Sequence, residues 1–191
     1  FLMDYIKENA YMITKMLLNQ FGAAFLGLVL YLASSTGDNA FLIIAASVFS
    51  ILFYVYLQYS VMWDLGARDI IRVNGKRASY RPANGFIIAL IANIPNILIA
   101  VLVLIGHIFG SADGAFGYEW AGTLYVASKS VGVIWESMFS GFVQLYSPHN
   151  PVIFFLMLIP PLLASSVGYI FGMKNFRILS LIGINPKPKK K

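Results

Sequence analysis

From Ala40 to Met62 the chain carries no Asp, Glu, Lys or Arg, and three further stretches, about 12–33, 85–108 and 152–173, hold one charged residue between them, Lys15. Each stretch is longer than the ~18 apolar residues that mark a helix able to cross a bilayer. Hydrocarbon offers backbone N–H and C=O groups no water, so such runs satisfy their hydrogen bonds internally and fold as helices. The expected fold is therefore an all-α integral membrane protein with four transmembrane helices. Only 12% of the 191 residues are charged, against roughly 25% in soluble domains. The length leaves room for a single membrane domain, 1–191. No secretory leader is expected, because the first apolar run follows a mixed-charge segment and lacks a small-residue cleavage site.

Between the second and third runs lies a basic turn, 64–82, carrying Arg68, Arg72, Lys76, Arg77 and Arg81. Cytoplasmic loops carry the excess of Lys and Arg, so this turn sets the orientation. With it inside, and with Ala121 to Leu145 not crossing, thirteen of the 14 Lys and Arg are cytoplasmic and only Lys129 is outside. If 121–145 crossed, the six cations of the basic tail, 174–191, would move outside and break that rule. Both termini are expected in the cytoplasm, in a plasma (inner) membrane, with 121–145 as an amphipathic interfacial or re-entrant outer helix. The net charge of +6 then reflects cytoplasmic cations near anionic lipid headgroups, not a nucleic-acid partner. The basic turn reads either as a hairpin at Asn74-Gly75 or, by preference, as a helix continuing from the second run, with Asn or Gly in the left-handed conformation at its end.

Inside the runs, a few residues break the apolar pattern. Ala23 and Gly27 lie four apart in the first, and Ala164, Gly168 and Gly172 form a ladder at the same spacing in the last. Small residues so spaced form helix-contact faces. Tyr54, Tyr56, Gln58, Tyr59 and Trp63 crowd the inner end of the second run and read as an aromatic belt at the membrane boundary, with a ligand-facing tyrosine cluster as the alternative. Pro95 removes a backbone donor and predicts a kink between Asn93 and Asn96. Pro160 and Pro161 interrupt the last run at comparable depth. These five residues are the candidates for a polar cavity between broken helices, with hydrogen bonds from the Asn side chains to neighbouring helices as the other reading. In 121–145, Lys129, Glu136, Ser140 and Gln144 share one helical stripe, and Val131, Ile134, Met138, Phe142 and Leu145 share another. The polar stripe reads either as a solvent-facing surface or as a lining that faces Gln20, Asn93 or Asn96.

Enzymatic chemistry finds little support. Asp64-Leu65-Gly66-Ala67-Arg68-Asp69 resembles a six-residue fragment of the CDP-alcohol phosphotransferase signature, whose aspartates bind metal. No further aspartate occurs before Asp113, so divalent metal would lack oxygen ligands. Asp64 and Asp69 are instead expected to pair with Arg68 or Arg72. The only histidines, His107 and His149, stand without a carboxylate at ligand spacing, and there is no Cys. Neither a nucleophile elbow nor a Gly-rich phosphate loop is present. No enzyme, cofactor or metal is expected.

No family is recognised across the chain. In size it is similar to the substrate-binding components of vitamin uptake systems, which have six spans. The first functional reading is a non-catalytic subunit or scaffold of a larger membrane complex, docking a protein partner through its small-residue faces. The alternative is a small-solute or ion transporter or channel with a polar site at the proline-broken helices. The scaffold reading is preferred because none of the four runs contains an acidic residue to couple ions. The topology predicts that a reporter fused after Lys191 is active only in the cytoplasm. A cysteine replacing Gln144 should react with an impermeant thiol reagent added outside; labelling only after permeabilisation would mean that 121–145 crosses.

Overall fold

The computed structural model describes residues 2–37, 39–77, 79, 81–110, 117–146 and 150–176. Among these, every named element is helical: α1 (Leu2–Ser35), α2 (Ala40–Asn74), α3 (Asn84–Ala92), α4 (Ile94–Phe109), α5 (Glu119–Trp135), a 3-10 turn (Ser137–Phe139), α6 (Ser140–Tyr146), α7 (Ile153–Leu156) and α8 (Ile159–Met173). Three stretches, 3–35, 40–74 and 153–173, are long and apolar enough to cross a membrane, and α3 with α4 adds a fourth when the bent pair is one span. The chain is thus a multi-pass membrane protein by the length and composition of its helices.

The helix ends follow local chemistry. Asn39 caps α2, its Oδ1 accepting from the Phe41 N–H at 3.0 Å. Far from ending at Met62, α2 runs on through Trp63 to Asn74, the helical of the two alternatives for the basic turn. The left-handed residue there is Lys76, at φ 55°, and not Asn74 or Gly75. The reason is the closure used: Lys76 N–H reaches Val73 O and Arg77 N–H reaches Arg72 O, both at 2.9 Å, which requires the residue between them to turn left-handed. Asn175, at φ 51°, ends α8 the same way, with Phe176 N–H on Phe171 O at 2.8 Å. Pro95 gives the expected kink: α3 and α4 meet at Asn93 with a bend of 55°. Pro160 and Pro161 stand in the first turn of α8, where a missing N–H costs nothing.

α1 and α2 pack antiparallel, bringing Tyr54 beside Gln20 and Gln58 beside Met16. α8 makes its most extensive contact with α2. A Cβ on Gly168 would meet the Tyr59 main chain, and one on Gly172 the main chain of Trp63 and Ala67. The predicted ladder on α8 is therefore spent on an internal helix pair. Ala23 is fully buried, and Gly27 lies against the main chain of Ser137 and Met138.

Ala121 to Leu145, expected as one amphipathic helix, is broken at Glu136, whose φ −107° and ψ 28° leave the helical region. α5 runs antiparallel beside α4: the His107 and Tyr125 rings are 5.5 Å apart at one end, and Trp135 reaches Asn96 at the other. The chain then turns back. Met138 packs on Gly27, and Gly141 on Ser47 and Ile43, which lie toward the α1–α2 turn. The segment thus enters and leaves the bundle at the end that carries Ser35 and Asn39, and Glu136 is its deepest point. The two stripes also face opposite to a surface helix: Val131 and Ile134 are outside, at 55% and 61% exposure, while Glu136 and Ser140 are inside. Beyond the break the wheel no longer applies, and Met138 is buried with them.

Replacing Gly168 by Leu is expected to destabilise the protein by about 1–3 kcal/mol through overpacking, whereas Gly22→Ala, with open space around its Cβ, should be neutral. Thermal unfolding of both variants in detergent tests this; equal melting temperatures would mean that the α2–α8 approach is loose.

Candidate functional site

Two apolar clusters fill the bundle, one around Met62, Ile88 and Tyr169 and one around Tyr54, Val103 and Met138. At the level of Gln20 a polar layer separates them. Gln20 lies roughly 22 Å of helix axis from Ser35. It donates through Nε2 to Asn96 Oδ1 at 2.8 Å and to Glu136 Oε1 at 3.3 Å. Tyr54 OH donates to Gln20 Oε1 at 3.4 Å, and Trp135 Nε1 donates to Asn96 Oδ1 at 2.7 Å. From there Asn96 Nδ2 passes to Asn93 Oδ1 (2.9 Å), and Asn93 Nδ2 to the Ala89 carbonyl (2.8 Å), just before the α3–α4 bend. Gln58 Nε2 donates to Met16 O at 3.2 Å one turn away. Ser137 Oγ donates to Ala24 O, tying the 3-10 turn to α1.

Glu136 is 4% exposed, and its Oε2 has no hydrogen-bond partner. Beside it is a cavity of about 290 Å³ between α1, α5, α6 and α7. Its polar lining is Glu136, Ser140, Gln144, Lys129 and Tyr31; its apolar lining is Val133, Val143, Phe154 and Met157. Gln144 is exposed, so the cavity reaches the surface there. The ammonium of Lys129 is 3.2 Å from Tyr125 OH and 5.1 Å from the centre of that ring, so it leans toward the start of α5, away from Glu136.

The sequence-predicted residues separate into three places. The polar stripe Lys129, Glu136, Ser140 and Gln144 lines the cavity as a set. Asn93 and Asn96 are buried in the hydrogen-bonded layer and are not on the cavity wall; neither are Pro95, Pro160 and Pro161. The two amides bond to their neighbours: Asn96 accepts from Gln20 and Trp135 and donates to Asn93, and Asn93 donates to the Ala89 carbonyl. Ala23, Gly27, Ala164, Gly168 and Gly172 pack within the bundle. Tyr54, assigned to an aromatic belt, is wholly interior, while Tyr56 stays exposed. The sequence signal for this is the spacing of Ser47, Ser50, Tyr54 and Gln58 at intervals of three, four and four, a polar stripe on one face of an apolar helix. Trp135 gave no such signal.

At the other end, Arg68, Arg72, Lys76, Arg77 and Arg81 are exposed. Asp69 pairs with Arg72 at 3.8 Å, as expected, while Arg68 Nε donates to the Asp64 carbonyl and not to its carboxylate. Asp69 also accepts from Tyr169 OH at 2.8 Å and from Asn84 at 3.4 Å, and Tyr5 OH donates to Asn84. This cluster joins α1, α2, α3 and α8. His149 and the tail from Arg177 onward lie outside the described residues, as do Ala78 and Tyr80 of the turn. Among the described residues no three of His, Cys, Asp and Glu converge as a metal site.

Compared with protein-family models, curated proteins and solved structures, the chain matches none.

Changing Asn96 to Leu keeps the branching of its heavy atoms but strips partners from Gln20, Trp135 and Asn93. Stability should fall by about 1–3 kcal/mol, the cost of stranding buried polar groups. Thermal unfolding in detergent measures it; unchanged melting would show that the layer is incidental to folding.

Proposed function

We propose that this chain is a non-catalytic plasma-membrane protein that binds and translocates a small polar solute, with Glu136 at its binding site and both termini in the cytoplasm. The observation that carries this reading is the unpartnered Glu136 carboxylate oxygen beside a cavity of about 290 Å³. Ionisable groups at membrane depth are costly, and they persist where they pair or line a path for solute or ions. Two arguments for a scaffold lose their footing. The absence of an acidic group from the spans matters little when a re-entrant segment carries one into the bundle. The small-residue faces meant for a partner are covered by α2 and by the 3-10 turn of the same chain.

The arrangement also has the asymmetry that solute transport needs. The cavity opens toward the end with Ser35 and Asn39, and the path beyond Glu136 is blocked by the polar layer, the Met62 cluster and the Asp69–Tyr169 contact. The exposed cations at the closed end fit anionic lipid headgroups, whose attraction is worth ~1 kcal/mol per cation near the surface.

The test is thermal stability of the purified protein against amino acids, amines, organic acids, polyols and inorganic cations. At least one class should raise the melting temperature of the wild type and leave Glu136→Gln unmoved, and proteoliposomes of the wild type alone should take that solute up. If no class gives a Glu136-dependent rise and gentle extraction yields a stoichiometric protein partner, the scaffold reading replaces this one.

A further inference from the structure

Glu136 brings a carboxyl group to the wall of the cavity. Among the described residues that carboxyl bonds only to the neutral amide of Gln20, through Oε1, and Oε2 has no partner. An ionised carboxylate is a pure acceptor, and burying its charge is costly unless a cation and hydrogen-bond donors meet it. Lys129 shares the wall, but its ammonium is 3.2 Å from Tyr125 OH and turned away from Glu136. The carboxyl therefore asks two things of a ligand, positive charge and N–H donors. An organic ammonium supplies both, in charge-assisted bonds about 2.7–2.9 Å long. Oε2 is covered by protein, so binding needs the carboxyl to turn about its last torsion, which is broad in Glu.

The rest of the wall selects what the ammonium is attached to. Val133, Val143, Phe154 and Met157 form its apolar part. A dehydrated inorganic cation needs several oxygen ligands and gains nothing from those four side chains. A polyol would set hydroxyls against them without partners, and an anion would be repelled by Glu136. At about 290 Å³ the cavity lies at the small end of the ~300–1,000 Å³ range of ligand pockets, which suits one short chain or one ring. Resting on the solute-binding reading above, we propose that the ligand is a small primary amine with an apolar body, bound as its ammonium form. The head meets Glu136, and the body lies against Val133, Val143, Phe154 and Met157.

The experiment is a thermal-shift titration of the whole chain in detergent with hexylamine and three relatives. Hexanol keeps the body without the charge, hexyltrimethylammonium keeps the charge without an N–H, and methylamine keeps the head without the body. Hexylamine should bind best, with each of the others weaker by about tenfold, ~1.4 kcal/mol. Glu136→Gln should erase the preference for hexylamine over hexanol. Val133→Phe places a larger side chain at a wall position that is 36% exposed. It should leave the ligand-free melting temperature in place and weaken hexylamine about tenfold, with methylamine unchanged. Should Glu136→Gln not fold, the wild-type ranking and Val133→Phe decide. Hexylamine binding no better than hexanol or hexyltrimethylammonium overturns the amine assignment, as does a preference that survives Glu136→Gln or an affinity untouched by Val133→Phe. If the amine assignment fails in this way but another class of solute gives a Glu136-dependent shift, the ligand class falls and the site stands. If no class does, both fall.

Discussion

A carboxyl group held inside a helix bundle at membrane depth imposes the main constraint on this structure. Its neighbours must supply donors, because hydrocarbon cannot, and a group left without them costs several kcal/mol. For Glu136 Oε1 the chain meets that constraint by concentrating its irregular backbone at one level, while Oε2 stays without a partner. The α3–α4 bend at Asn93, the end of α5 at Trp135 and the polar stripe of α2 all converge on Gln20 and Glu136. Each irregularity supplies polar groups that another consumes: Asn93 covers the Ala89 carbonyl before the bend, and Trp135 donates to Asn96 from the next break. Placed separately, each would be an unsatisfied defect. Placed together, they form a layer between two apolar clusters.

Holding a non-spanning segment inside the bundle also demands close backbone approach, since the hydrophobic effect does not drive helices together in lipid. Gly27 lets the 3-10 turn lie on the α1 main chain, and Ser137 then donates to Ala24 O. Gly168 and Gly172 play the same part for α2 and α8. The small residues are thus positioned where chain meets chain. This explains why the 3-10 turn is wholly buried although it lies between the polar residues Glu136 and Ser140.

Much of the helical frame could be read from the sequence, because long uncharged runs admit few other solutions and Pro95 leaves little choice but a kink. The site was legible in composition but not in orientation. Lys129, Glu136, Ser140 and Gln144 were visible as one stripe, yet a helical wheel does not say whether a polar face meets water or protein. Exposed Val131 and Ile134 resolve that for this segment: beside lipid, the apolar face is the outer one. Asn93 and Asn96 were recognised as partners at a helix break, but the bonds that Asn96 accepts from Gln20 and Trp135 depend on contacts across more than seventy and nearly forty residues. No local pattern encodes those distances. Tyr54 was hidden for a different reason, since an aromatic belt and an interior polar stripe use the same residue types on neighbouring turns.

The asymmetry of the bundle bears on how the proposed solute role would work. Toward the end where α1 passes to α2 the polar site is covered, among the described residues, by α5, the 3-10 turn and α6, short elements joined by the break at Glu136. Toward the basic end it is covered by the close-packed pair α2 and α8 and by Asp69, which gathers Tyr169, Asn84 and Arg72. Access from the first side needs rearrangement of the short elements that meet at Glu136; access from the second needs α8 to part from α2 and Tyr169 to leave Asp69. A translocation cycle would therefore pivot on α8 and the Asp69 cluster, with the short re-entrant elements as the nearer cover. Glu136, joined to the fixed layer through Gln20 and lining the cavity, sits where those two motions meet.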